Sequence, residues 1–476
     1  MKPRPREMTV VCFALAALAY SCQSGGNPEG EATSARADEP TAQRSAAAVG
    51  DVEEEQPREL SWDEPIRVDR GDASRGPWRM NESDFHYIDD PTVALSKDGT
   101  AFVAWVDNRR QDVLFQRFGA DGETQLEVPV DISRSPDIFS WLPRLVVVGD
   151  EGETVYAVWQ EIVFSGGSHG GEIFFARSTD GGESFSEPAN LSQTTAGAGK
   201  GRLTSEHWHN GSLDIAVSAD TSELSVAWTE YEGALRFSRS VDGGQNFSAP
   251  EHIAGATDGN DPPARGPSIA AGENGEVYLA WTVGEKDDAD IRVAHSEDGG
   301  RSFGEATVAE QTGGHSDGPK IAVDSAGDLH LVFAESPHGL YERSHIRYLS
   351  KPADEEAFGT SRIISAEPTD EDETAASFPS LAIDGDDDLF VLWEHHPQYG
   401  ERPRGLGFSF STDQGATFSA PSIIDGTDDR REANNGNLQG LLMRKLAVND
   451  VGDVAAVHST FEENQESLIV LFFGRL

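Results

Sequence analysis

Short apolar runs recur along this chain, each followed by a polar turn and a second apolar run that usually ends in tryptophan. Seven such units align. They run from Pro91 through Leu95 to Trp105, from Pro143 through Val147 to Trp159, and from Leu213 through Val217 to Trp228. The others run from Pro267 through Ala271 to Trp281, Pro319 through Val323 to Phe333, Pro379 through Ile383 to Trp393, and Arg444 through Val448 to His458. Runs this short that alternate, as Val277-Tyr-Leu-Ala-Trp281 does, are β-strands rather than helices. Asp98-Gly99, Asn274-Gly275 and Gly327-Asp328 supply the hairpin turns between them. A third run follows in Ile173 to Ser178, Leu235 to Ser240 and Ile291 to Ser296, and a fourth opens at Pro188, Pro250 or Pro421. Four antiparallel strands repeated at a fixed period predict an all-β fold, a β-propeller of four-stranded blades.

The turn between the third and fourth runs carries a phrase of its own, S-x-D-x-G-x-x-F. It occurs at Ser178 to Phe185, Ser240 to Phe247, Ser296 to Phe303 and Ser411 to Phe418. Asp accepts hydrogen bonds from its own turn, Gly allows a positive φ, and Phe buries its ring against the sheet. Decayed copies stand at Asp121-Gly122 and at Ser350 to Phe358. Asp298 and Asp413 lie 115 residues apart, about twice the usual interval. The last unit stops after its third strand, Leu468 to Phe473, while Glu64 to Val68 looks like a fourth strand without its first three. Joining the ends removes a free sheet edge. It predicts seven blades, six being the alternative count, with the N-terminal strand outermost in the last.

Composition narrows the setting. The 476 residues hold 37 Lys and Arg against 83 Asp and Glu, a formal charge of −46. Such a surface repels nucleic acid and anionic membranes. Both cysteines, Cys12 and Cys22, lie at the extreme N-terminus, so the repeats contain no thiol chemistry. Lys2, Arg4 and Arg6 precede an apolar stretch from Met8 to Tyr20, too short to span a bilayer. Residues 1–21 read as a signal peptide. Leu18-Ala-Tyr-Ser-Cys22 resembles a bacterial lipobox with Cys22 as the lipidated residue, although Ala19 stands where Leu is usual. An ordinary signal peptide is the alternative. Residues 22–60, poor in aromatics, read as a disordered acidic tether, and 61–476 as the propeller. The chain is thus expected in the bacterial envelope, touching membrane only through an N-terminal lipid, and otherwise secreted. A monomer is expected.

The phrase resembles the Asp box of the BNR-repeat propellers, a family that includes the sialidases. In that family the boxes lie opposite the active site, which makes Asp180, Asp242, Asp298 and Asp413 structural. The resemblance implies exo-sialidase chemistry as one option: three arginines clamping a carboxylate, an acid/base Asp, and a Tyr paired with a Glu. The Phe/Tyr-Arg-Ile-Pro motif that carries the first arginine is missing, since Trp141-Leu-Pro143 lacks the Arg. No catalytic residue carries over by motif. Binding of a glycan or surface protein is therefore preferred, and hydrolysis of terminal acidic sugars is the alternative.

Function is expected on the face opposite the S-x-D turns, where the loops carry polar residues. Asp107 precedes Arg109 and Arg110, a pair able to grip a carboxylate or to pair with Asp107 or Asp112. His207 and His209 flank Trp208, which suits stacking on a sugar or a lid over the channel. His315 and Asp317, and His395 with Tyr399 and Arg402, form two more groups. Asp107, Glu161, Glu230 and Glu335 recur after the second strand, as ligand contacts or as a solvated rim. No cofactor is expected. His207 and His209 would point the same way in an extended segment, which suits a metal, but no third ligand accompanies them. Asp384-Gly-Asp-Asp-Asp388 resembles a calcium loop but lacks EF-hand spacing, and a solvated hairpin is the preferred reading.

Overall fold

The computed structural model describes residues 60–476 except 164–170, 195–212, 256–261, 367–372, 428–431, 434–443 and a few shorter loop positions. Those residues form seven blades of four antiparallel strands, with almost no helix. The innermost strands are Ile88–Leu95, Ser140–Val148, Leu213–Val217, Ala264–Ala271, His315–Val323, Ala375–Ile383 and Leu446–Val448. The second strands end in the aromatic residues seen in the repeat. Trp105, Trp159, Trp228, Trp281 and Trp393 are all buried, so five of the seven blades carry an indole in the core, with Phe333 and His458 in its place in the other two.

The ring closes as the two chain ends suggest. Asp453–Glu462 and Glu466–Arg475 form the hairpin of blade 7. Its outer edge is taken by Ser61–Trp62 and Ile66–Gly71, with Ser61 opposite Arg475 and Ile66 opposite Leu471. Trp62 also packs edge-on against Phe408 of blade 6, with ring centroids 5.2 Å apart. Count and closure both agree with the repeat, and the six-bladed alternative is excluded. Removing residues 61–71 should expose the apolar edge of Glu466–Arg475. The truncated chain is expected to elute as aggregate on size exclusion, and a stable monomer would show that closure is dispensable.

The S-x-D turns hold blade to blade. In the first, Ser178 Oγ donates to Asp180 Oδ1 at 2.6 Å and accepts from Gly182 N at 2.8 Å. Ser184 returns to the same carboxylate through its N–H at 3.0 Å and its hydroxyl at 2.6 Å. The pattern repeats at Asp242, Asp298 and Asp413. Hydrogen bonds from Asn246 hold the Asp242 carboxyl down to about 2, a stabilisation present above about pH 4 and lost as pH falls toward 2. The phenylalanine of each phrase packs on the third-strand aromatic of the preceding blade: Phe185 on Phe115, Phe247 on Phe175, Phe303 on Phe237 and Phe418 on Tyr348, at 4.8–5.2 Å. Gly182 turns with φ 89°, and a Cβ there would collide with the Phe115 ring. Phe247→Ala should lower unfolding free energy by roughly 2 kcal/mol in denaturant titration, whereas exposed Val241→Ala should not. Equal effects would refute the interblade role.

Candidate functional site

The inner strands share an irregularity that arranges the axis. In five blades the register with the second strand slips just before or around a proline. The residue before that proline has positive φ: Asp90 (51°), Leu142 (59°), Gly266 (61°), Gly318 (67°) and Phe378 (51°). An L-residue avoids this conformation, so three of the five sites carry backbone strain of about 1–3 kcal/mol each. A bulge re-aims the residues that follow it. Those after the prolines are Thr92, Arg144, Ser268, Lys320 and Ser380. Asp214 and Lys445 hold the same place in the two blades without such a proline.

These seven side chains form a belt. Asp214 Oδ2 accepts Ile269 N at 3.0 Å, Ser268 Oγ accepts Ile321 N at 3.2 Å, and Ser380 Oγ accepts Lys445 N at 3.2 Å. Each bond runs to the inner strand of the next blade. At the closure Thr92 Oγ1 donates to Arg444 O at 3.0 Å and Val93 N donates to the same oxygen at 3.2 Å. Lys445 forms a buried ion pair with Glu394.

The remaining charges are unequal in sign. Arg444 Nη2 lies 2.8 Å from Asp214 Oδ1 and 3.0 Å from Ile215 O. Arg144, fully buried, donates to Pro143 O at 2.9 Å. Burial opposes ionisation of Asp214, yet Arg444, Lys320 and Arg144 together hold its carboxyl below the usual range. Burial, with repulsion from Arg144 and Arg444, pushes Lys320 down to about 7, and Asp214 only partly offsets this. Burial likewise pushes Arg144 down to about 10, with Asp214 and Asp90 opposing. Three cations thus meet Asp214, and Asp90 also acts on Arg144. A cavity of about 290 Å³ ends on Lys320, Arg444 and Asp214. A lysine held below its ordinary value costs the fold stability that is fully lost at pH below about 7 and regained as pH rises toward 10. Lys320→Met should therefore stabilise the protein more at pH about 6 than at about 10, read by chemical unfolding. A pH-independent change would contradict this.

The expected loop residues are placed differently. Asp107 Oδ1 accepts the N–H groups of Arg109 (3.0 Å) and Arg110 (3.2 Å) and so caps its own turn. Arg109 faces Asp72 at 3.3 Å and Arg110 faces Asp112 at 3.4 Å, both arginines being exposed. Glu230 pairs with Arg236 at 2.9 Å. Glu161 and Glu335 are buried, so the solvated-rim reading fails for them. Glu161 accepts from Trp159 Nε1 at 3.0 Å and Ser135 at 2.6 Å, and Glu335 pairs with Arg347. His315 and Asp317 do come together, with a residue not singled out before: Arg265, 3.3 Å from Asp317 and 3.1 Å from His315. Burial opposes the Asp317 charge, but Arg265, His315 and Thr282 hold it well below the carboxylate range. Tyr399 is exposed and donates to Glu342 at 3.0 Å, and Arg402 is half-buried nearby in sequence. Asp384 caps its own turn through Asp386 N and Asp388 N, while Asp387 binds Ser325 of blade 5. Among the described residues no three His, Cys, Asp or Glu side chains are grouped as a metal site requires. His207, Trp208, His209 and Cys22 lie outside the described residues.

His395 lines a second cavity, of about 220 Å³, between blades 5 and 6. Trp393, His345, Thr374 and Ser365 share its wall. They stand where second strands end and third and first strands begin, which is the face opposite the S-x-D turns.

No protein-family model matches the chain, and no curated protein matches it. Solved structures do. The polysaccharide lyase Uly1 superposes with a TM-score of 0.53 at 11% identity, over 87% of this chain and 99% of that one. An ulvan lyase bound to GlcA(1-4)Rha3S gives 0.50 at 11% identity, over 84% and 93%. A Hadza microbial sialidase gives 0.41 at 14% identity, over 79% and 74%. At these identities the likeness is one of fold.

Proposed function

We propose that this propeller binds a glycan on the face opposite its S-x-D turns, in the cavity between blades 5 and 6. The observation that carries the reading is the composition of that cavity: an indole, Trp393, beside two imidazoles, His345 and His395, and the hydroxyls of Thr374 and Ser365. A sugar ring offers one apolar face and a rim of hydroxyls, and this wall supplies partners for both. The cavity has room for about one sugar unit. Two structures with this fold are named as polysaccharide lyases, which supports a carbohydrate ligand. The exo-sialidase alternative gains no comparable support. The axis brings together two arginines and a lysine rather than three arginines, and Arg109 and Arg110 pair with acids on an exposed turn.

We further propose that the chain is anchored to the bacterial envelope through Cys22, a reading supported by the lipobox-like Leu18-Ala-Tyr-Ser-Cys22. Palmitate labelling of the wild type, absent in Cys22→Ser, would support the anchor, and equal labelling would refute it. For the binding site, an array of plant, algal and bacterial oligosaccharides should retain the full chain. His395→Ala should weaken binding of the retained glycan at least about tenfold without moving the unfolding midpoint. An array that retains nothing, or binding that survives both His395→Ala and His345→Ala, would refute the assignment.

A further inference from the structure

The axial cavity has a chemistry unlike that of the cavity between blades 5 and 6. Its inner end is polar and positive: Lys320 and Arg444 line it with Asp214, and Ser268 and Ser380 stand beside them. Its walls are aliphatic, built from the last residues of the inner strands, including Val147, Val217, Leu381, Ile383 and Val448. Those wall residues are half-buried, whereas the strands above the belt are almost wholly buried. Solvent therefore reaches the cavity from the face of the S-x-D turns. From the belt to the strand ends is about three residues, or roughly 10 Å of wall.

We infer that the axis is a binding site for an amphiphilic anion, a carboxylate or sulfate on a medium-length aliphatic body, with its head on Lys320 and Arg444 and its tail along the inner-strand ends. A sugar would leave its hydroxyls against valine, leucine and isoleucine side chains, where each unpaired polar group costs free energy. An inorganic anion would satisfy the charge but leave the walls in contact with water. An amphiphilic anion satisfies both ends. The charge count favours it too, because Lys320 meets two guanidiniums and one carboxylate. An added anion redresses that balance and favours the protonated lysine. In a chain of formal charge −46, a positive interior is not a by-product of composition.

Decanoate is the probe, with decanol and acetate as single-feature controls, titrated into the full chain by calorimetry. Decanoate should bind with one site per chain, at least about tenfold more tightly than either control. Lys320→Met should weaken it at least tenfold. Ala382→Phe, which fills the wall while leaving every charge in place, should do the same. Affinity should fall between pH about 6 and 8 in the wild type and stay level in Lys320→Met. Decanol binding as well as decanoate, acetate binding as well as decanoate, or decanoate unaffected by Ala382→Phe would each overturn the inference. So would the absence of any decanoate heat together with an unchanged unfolding midpoint. His395→Ala leaves this cavity untouched, so failure here is distinct from failure of glycan binding between blades 5 and 6.

Discussion

Neighbouring blades of this ring are joined at the axis by hydrogen bonds from side chain to backbone. Asp214 to Ile269, Ser268 to Ile321 and Ser380 to Lys445 are one contact made three times, and Thr92 makes its counterpart across the closure. Thr92, Ser268 and Ser380 follow a bulge, three of five in which the residue before a proline has positive φ, whereas Asp214 reaches the same place from a strand of unbroken register. Backbone strain at Asp90, Leu142 and Phe378 is set against a belt that fixes the angle between blades. At the outer end of the joint the S-x-D turns do the complementary work, pressing a phenylalanine onto the blade before.

Where the belt position holds serine or threonine, the contact is neutral. Where it holds arginine, aspartate or lysine, the same geometry places charge at the buried end of the axial cavity. Asp214 serves both purposes, accepting Ile269 N and facing Arg444. Arg144 and Lys320 add positive charge around Asp214, with Asp90 acting on Arg144, and burial with repulsion from the two arginines brings Lys320 down to about 7. Buried charge of this kind is costly, and an apolar ring would be cheaper for stability alone. Beside a cavity, such charge suits an anionic ligand.

The blade count was legible because its signals are local. A turn phrase needs only its own Ser, Asp, Gly and Phe, and the two half-blades at the ends complete each other in strand order. The site was not legible in the same way. Arg109 and Arg110 stood out as a pair, but Arg109 is neutralised by Asp72, distant in sequence and brought close by the closing strand. Arg265 joins His315 and Asp317 across two blades, which spacing along the chain does not show. The belt was missed, although its signal is in the repeat: Thr92, Arg144, Asp214, Ser268, Lys320, Ser380 and Lys445 are polar residues one place into each apolar run. What spacing could not supply was the bulge that turns that column toward the axis. His395 was legible as a loop-face residue, though its neighbours Trp393 and His345 were not.

A ring that concentrates positive charge at its axis should hold an anion there. Crystals of the full chain soaked in bromide test it most directly. Anomalous density within hydrogen-bonding reach of Lys320 Nζ and the Arg444 guanidinium is the expected result. Bromide confined to the outer surface, with ordered water alone beside Lys320, would contradict it.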